Sequence, residues 1–324
     1  MWWYNTKLAD GILQNNFKRR HFGGAATTKV FMINDEQRAD LNNLLSNNAA
    51  SGADGAATTG PRMIAIASGK GGVGKTTVTV NLAIALSHLG MRVLVVDADF
   101  GLANIDVMLG VQTKYNLSHF IRGQRMLDEI VHIGYDGVRF ISGGSGLAEL
   151  LQLGDRQIAR LMKGLTRMDM PVDYILFDSG AGINDNLIQM VLACSSTIVV
   201  TTPEPTAILD AYALIKTIVA KEHEHPIHVI MNRAETKKEA DHVLRGFTEV
   251  LSRHLNKSVN CLGHIISEQD IPRSIKRQTP MIISAPDSHF SREIEAIARN
   301  LLNLPPARES TGVFARLFSG FSRH

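Results

Sequence analysis

Ser68-Gly-Lys-Gly-Gly-Val-Gly-Lys-Thr-Thr77 decides how this chain reads. An apolar run, Met63 to Ala67, precedes it and a helical pattern, Thr77 to Leu89, follows, so the glycines fall at a strand-to-helix turn. Gly69, Gly71, Gly72 and Gly74 let backbone N–H groups approach phosphate oxygens at a helix N-terminus, where the dipole favours negative charge. The loop from Gly69 through Val73 to Thr77 is therefore expected to cradle the phosphates of a nucleotide. Lys75 is expected to reach the β- and γ-phosphates, and Thr76 to hold Mg²⁺. Lys70 is additional to that set, because it stands too early in the loop to serve the same phosphates as Lys75.

Two further segments end apolar runs in carboxylates. Val93 to Val96 leads into Asp97-Ala-Asp-Phe-Gly-Leu-Ala-Asn-Ile-Asp106, and Tyr174 to Phe177 leads into Asp178-Ser-Gly-Ala-Gly-Ile183. Ligand groups gather at the carboxyl ends of parallel strands, which directs all three acids towards the phosphates. Asp97 is expected near Mg²⁺, Asp178 in the metal's shell through water, and Asp99 as the group that orients the attacking water. Gly180 and Gly182 give the second segment freedom to move when the γ-phosphate leaves. A fourth run, Val229 to Met231, ends in Asn232-Arg233.

Together these motifs resemble the deviant Walker A ATPases of the ParA/MinD group. That resemblance implies that Lys70 reaches across a nucleotide-sandwich homodimer to the partner's phosphates, a finger in trans that can be worth ~10³–10⁵ in rate. It also implies catalytic roles for Lys70, Lys75, Asp99 and Asp178, and places Asn232 and Arg233 at the adenine. Within the group, Gly180 stands where the division-site proteins usually carry proline. The stretch Thr201-Thr-Pro-Glu-Pro-Thr-Ala-Ile-Leu-Asp-Ala-Tyr-Ala-Leu-Ile-Lys216 is similar to that of the FlhG/FleN flagellar-number branch. The implied activity is ATP hydrolysis in control of flagellar number and placement. The alternatives are a ParA-type DNA-segregation ATPase and a MinD-type division-site regulator.

The whole chain bounds this reading. At 324 residues and 44% hydrophobic content it can bury one sizeable core with appendages. Apolar runs at 63–67, 92–96, 138–141, 172–177, 197–201, 227–231 and 261–266 alternate with helical patterns. The expected fold is α/β: a doubly wound, mostly parallel sheet with helices on both faces. No apolar stretch reaches the ~18 residues of a membrane span, and the start of the chain lacks the apolar core of a signal peptide, so a cytoplasmic location is expected. Net charge is +3, and Lys18-Arg-Arg20 and Lys237-Lys238 are too short to mark a nucleic-acid footprint, so no direct nucleic-acid partner is expected. Cys194 and Cys261 are too far apart for a redox or zinc pair and read as buried thiols, not as ligands of an iron–sulfur cluster. His223, His225 and His228, around Pro226, read as exposed polar positions.

Residues 1–46 form an N-terminal extension, 47–61 an Ala/Gly/Ser/Thr-rich flexible linker, 62–304 the ATPase domain and 305–324 a tail. The natural start is expected at Met32. In the extension, residues 34–45 read as a helix with Gln37, Leu41, Leu44 and Leu45 on one face, suited to docking on a partner. This helix resembles the Asp-Gln-Ala-x-x-Leu-Arg motif with which the flagellar branch stimulates the signal-recognition-type GTPase FlhF. Gln37 and Leu41 fit, while Glu36, Arg38 and Asn42 depart from it. A flagellar transcription activator is a further partner that the resemblance implies. Beyond Pro305-Pro306, Thr311 is expected to cap a helix with Val313, Phe314, Leu317, Phe318 and Phe321 on one face and Arg316 and Arg323 near the polar side. That is the pattern of an interfacial membrane helix. Two such tails in an ATP dimer gain avidity of ~10²–10⁴. ATP would then switch residence on the anionic inner face of the membrane, with a polar position expected.

Overall fold

The computed structural model describes residues 60–99, 104–144 and 155–306. The expected helix with Gln37 and Leu41, the linker before residue 60, residues 100–103 and the expected tail face Val313, Phe314, Leu317, Phe318 and Phe321 lie outside the described residues.

Eight strands form one sheet in the order β3-β4-β2-β5-β1-β6-β7-β8. They are β1 (Arg62–Ser68), β2 (Val93–Ala98), β3 (His132–Ile133), β4 (Arg139–Ile141), β5 (Tyr174–Ala181), β6 (Ser196–Thr201), β7 (Ile227–Ala234) and β8 (Asn260–Ile266). Every pairing is parallel except β3 with β4. The seven apolar runs are the seven longer strands. The eighth strand, β3, is two residues long and offers no periodic signal. Strands β2 to β5 lie on one side of β1, with β5 inserted between β1 and β2, and β6 to β8 build outward on the other. The carboxyl end of β1 therefore lies at the crevice where doubly wound sheets bind ligands.

Strand alternation sorts the core into two layers. Met63, Ala65 and Ala67 of β1, with Leu94 and Val96 of β2 and Ile175 and Phe177 of β5, face one buried cluster. Into it pack helices α3 (Leu117–Ile121), α4 (Asp155–Thr166), α5 (Asp185–Ala193), α6 (Pro205–Lys221) and α7 (Lys237–Leu255). Ile64, Ile66, Val93, Val95, Tyr174 and Leu176 face the other cluster. There lie α1 (Lys75–His88), α2 (Ile105–Leu109), α9 (Met281–Ser284) and α10 (His289–Leu301), with α8 (Asp270–Lys276) beside them. Helix α1 buries an unbroken run from Val78 to Leu86, because it is enclosed between the sheet and the helices over it. Its sequence accordingly lacks the polar face of a surface helix.

The histidine reading needs correction at two positions: His223 is exposed, but His228 on β7 is half-buried and His225 is buried. His225 is only 2% exposed, and its Nε2 lies 2.8 Å from Thr197 Oγ1 at the start of β6. A neutral imidazole sharing a hydrogen bond with a hydroxyl is a satisfied core group, and burial holds its pKa below the ordinary 6.5. The cysteine reading also divides: Cys194 is buried at the end of α5, where burial pushes its thiol up, but Cys261 on the edge strand β8 is exposed. Among the described residues no helix is long and apolar enough to cross a membrane.

Candidate nucleotide site

The loop after β1 takes its shape from glycine at three places. Gly72 and Gly74 have φ of 80° and 90°, the left-handed region. Gly74 caps α1 without a side chain, which leaves the helix's first N–H groups to an anionic ligand. A Cβ at Gly74 would lie 2.4 Å from Asn232 Nδ2, and one at Gly69 would lie 2.2 Å from the Asp210 carbonyl oxygen of α6. The loop is thus seated against two distant elements, both closer than any side chain allows.

Register places the acids. Asp97 and Asp178 are Cα partners across β2 and β5, one position past Val96 and Phe177, so both carboxylates fall on the α1 face of the sheet. Lys75, the first residue of α1, reaches down to them: its Nζ is 2.7 Å from Asp178 Oδ1, and this pair is almost fully buried. Thr79, one turn later, donates its hydroxyl to the same oxygen at 2.9 Å. Sequence reasoning missed Thr79, although its i+4 spacing from Lys75 on one helix face was a usable signal.

Asp97 is wholly buried. Its carboxylate accepts from the backbone N–H groups of Asp99 at 3.2 Å, Asn104 at 2.9 Å and Ile105 at 3.2 Å, which ties both ends of that acidic segment to β2. Burial, with the neighbouring Asp178 carboxylate, nevertheless raises its pKa to about 7, against the lowering effect of those three N–H groups. Such a pair carries more negative charge than its surroundings offset. Thr76 on α1 adds a hydroxyl nearby, and a hard divalent cation takes oxygen ligands of this kind, with the remainder supplied by phosphate and water. The residues therefore fit Mg²⁺. Among the described residues no group of three or more His, Cys, Asp or Glu side chains could hold a metal alone.

Asp99 is half-buried and faces the second acidic segment, since a Cβ on Gly180 would lie 3.8 Å from its Oδ1. Gly180 belongs to β5, which continues past Asp178 to Ala181, beyond the expected strand end. Gly182, with φ of 93°, makes the turn and donates its N–H to Ser68 O at 3.0 Å. Ser179 Oγ donates to Ile66 O at 2.8 Å, so the acidic segment is fastened to β1 at both sides of Gly180.

Lys70 is not among these groups. Its Nζ lies 2.9 Å from Glu204 Oε2 and 2.9 Å from Thr206 Oγ1, at the start of α6. Glu204 and Thr206 were not found by sequence reasoning, because nothing local marks residues more than a hundred positions away as its seat. Asn232 Nδ2 donates to Val73 O at 2.7 Å, and Asn232 Oδ1 accepts from Arg233 N at 2.9 Å. Its amide braces the phosphate loop. Arg233 has φ of 57°, and its Nε would lie 3.8 Å from a Cβ on Gly74.

Residues 61–302 match the ParA family described as NUBPL iron-transfer P-loop NTPase. The antiactivator FleN of Pseudomonas aeruginosa is 34% identical over 244 residues, 75% of this chain and 87% of that protein. The flagellum site-determining protein YlxH of Helicobacter pylori is 33% identical over 280 residues, 83% and 91% of the two chains. Among solved structures, the cell-division ATPase MinD of Pyrococcus furiosus superimposes with a TM-score of 0.63 at 26% identity, covering 75% of this chain and 99% of that one. The Mg-ADP complex of MinD from Pyrococcus horikoshii superimposes with a TM-score of 0.62 at 27% identity, covering 74% and 96%.

Proposed function

Since the chain belongs to the ParA/MinD family of P-loop NTPases, we propose that it is an ATPase whose ATP-bound homodimer limits the number or placement of flagella from the inner face of the membrane. The observation that carries the chemistry is the buried Lys75–Asp178–Thr79 cluster beside Asp97, beneath a loop whose helix N-terminus has no side-chain cap. The likeness to FleN and YlxH supports the flagellar role.

In this reading the loop N–H groups from Gly69 to Thr77 and the Lys75 ammonium hold the phosphates, and Asn232 and Arg233 border the base. Thr76, Asp97 and Asp178 would hold Mg²⁺, which supplies neutralisation of charge developing on the β- and γ-phosphate oxygens. Asp99 orients the attacking water, and its contact with the Gly180 segment lets loss of the γ-phosphate reach both segments. Lys70 leaves Glu204 and Thr206 to meet the partner's phosphates. Two tails, each presenting Val313, Phe314, Leu317, Phe318 and Phe321, then hold the dimer on anionic lipid, and the helix with Gln37 and Leu41 meets an FlhF-type GTPase. A flagellar transcription activator is the second partner of this assembly, and hydrolysis returns the monomer to the cytoplasm.

Light scattering of the Asp99→Ala variant tests the engine: with ATP and Mg²⁺ it should dimerise without turnover, whereas a monomer under those conditions refutes the assignment. Counting flagella in a strain lacking the gene tests the role. An unchanged number and position would sink the flagellar reading and leave the ATPase chemistry standing.

A further inference from the structure

Helix α4 carries Arg156, Arg160, Lys163 and, one residue past its end, Arg167. The spacing of four, three and four places these side chains on one face over roughly 16 Å. All four are exposed, while Ile158, Leu161 and Leu165 enter the core from the opposite face. Among the described residues none of the four pairs with a carboxylate. A scan for consecutive basic residues does not find this cluster; the helical period assembles it.

The stripe continues onto the neighbouring turn. Arg160 stacks 4.8 Å above the Phe120 ring of α3, and a Cβ at Gly164 would lie 2.5 Å from Leu127 Cδ1, so α4 seats close to the segment after α3. That segment holds exposed Arg122 and, directly before Leu127, Met126, which is 68% exposed. Arg125 lies 4.3 Å over the Tyr115 ring and donates to its hydroxyl at 2.8 Å, with Lys114 on the same ring at 5.2 Å. Against these cations stand Asp128 and Glu129, the latter held by Arg125 at 3.6 Å and by Met126 N. Arg156, Arg160, Lys163 and Arg167 make the face basic, and directly after Arg125 it exposes an apolar side chain, Met126.

We propose that this face, α4 with the Arg122–Met126 turn, docks directly on anionic phospholipid, its cations meeting headgroup phosphates while Met126 enters the interface. Clusters of four to eight basic residues on one amphipathic helix are the composition that anionic lipid recognises. A duplex nucleic acid would match the charge, but it admits an apolar wedge only by unstacking a base step at a cost of a few kcal/mol, whereas a lipid interface takes Met126 without that cost, and this favours lipid. The face shares no residue with the C-terminal tail, and the inference rests on the membrane residence proposed above.

The test is sedimentation of the full-length chain, with ATP and Mg²⁺, on phosphatidylcholine vesicles with and without phosphatidylglycerol. Arg156→Gln with Lys163→Gln should weaken binding to the anionic vesicles about thirty-fold at low salt, with the difference shrinking as salt rises. Met126→Ser should weaken it further. ATPase rate and thermal unfolding should be unchanged, as these side chains are exposed. A second background, Phe314→Asp with Phe318→Asp, silences the tail: weak anionic-vesicle binding should persist there and vanish when the glutamine pair is added. If the tail reading itself fails, the phenylalanine changes alter nothing but the glutamine pair still weakens binding. The proposal is overturned if the glutamine pair keeps the parent's vesicle affinity in both backgrounds. It is equally overturned if the pair's only loss is in duplex DNA retention, or in self-association without lipid.

Discussion

Replacing Asp97 with asparagine should flatten the protein's stability against pH, because burial and Asp178 hold this carboxyl at about 7 in the folded chain instead of the ordinary 3.8. An acid whose folded pKa is raised binds its proton more firmly in the folded state. Its contribution is therefore fully present below the unfolded value and is lost as pH rises through about 7. At about 1.36 kcal/mol per unit, the whole window is worth roughly 4 kcal/mol. Between about pH 5.5 and about pH 8.5, where the folded protein can be handled, the linkage relation leaves about 2 kcal/mol. Urea denaturation of both proteins at the two pH values measures it. Asparagine keeps one acceptor oxygen for the N–H groups of Asp99, Asn104 and Ile105, so the variant should be weaker at every pH; the readout is the change in the difference between the proteins. That difference should shrink by about 2 kcal/mol from the acid to the alkaline condition. Parallel profiles would refute the claim that Asp97 carries the proton. Mg²⁺ with ADP should flatten the wild-type profile too, since a cation beside the pair favours both ionised carboxylates.

Gly69→Ala should lower stability by about 1–3 kcal/mol and weaken nucleotide binding, because its Cβ would fall 2.2 Å from a helix carbonyl that cannot swing aside. Calorimetric binding of ADP at wild-type affinity would contradict this. Lys70→Ala should leave monomer nucleotide binding intact while steady-state turnover drops by ~10³ or more; the lost exposed pair with Glu204 should change the melting free energy by less than about 1 kcal/mol. His225→Gln should relieve acid sensitivity: its folded pKa is depressed, so the wild type loses this stability as pH falls from 6.5 through the lower folded value. Equal urea midpoints for the two proteins across that range would show that His225 does not titrate there.

What the chain revealed of itself follows the range of each interaction. The phosphate loop and the acids at 97, 99 and 178 were legible because a strand, a turn and a helix start are written in consecutive residues. Seven strands were legible because burial on both faces demands long apolar runs. Strand β3 was not, since two residues paired only by the ladder to β4 need no pattern of their own. The seats of Lys70 on Glu204 and of Asn232 on Val73 were invisible, as each joins segments more than a hundred residues apart. His225 looked like exposed His223 and half-buried His228; only Thr197 opposite it decides that it is buried. The basic face of α4 was present in the sequence as a four-three-four period and is missed when charge is read as runs.

The bracing of Val73 by Asn232 also bears on synthesis. The two residues are separated by 159 positions, so at ordinary translation speed roughly 10–30 s pass between the making of the phosphate loop and the making of its brace. During that interval Gly69 also lacks its neighbour in α6. A nucleotide therefore cannot find the finished loop on the ribosome until Asn232 has been made, and ATP can rescue from misfolding only chains that extend past it.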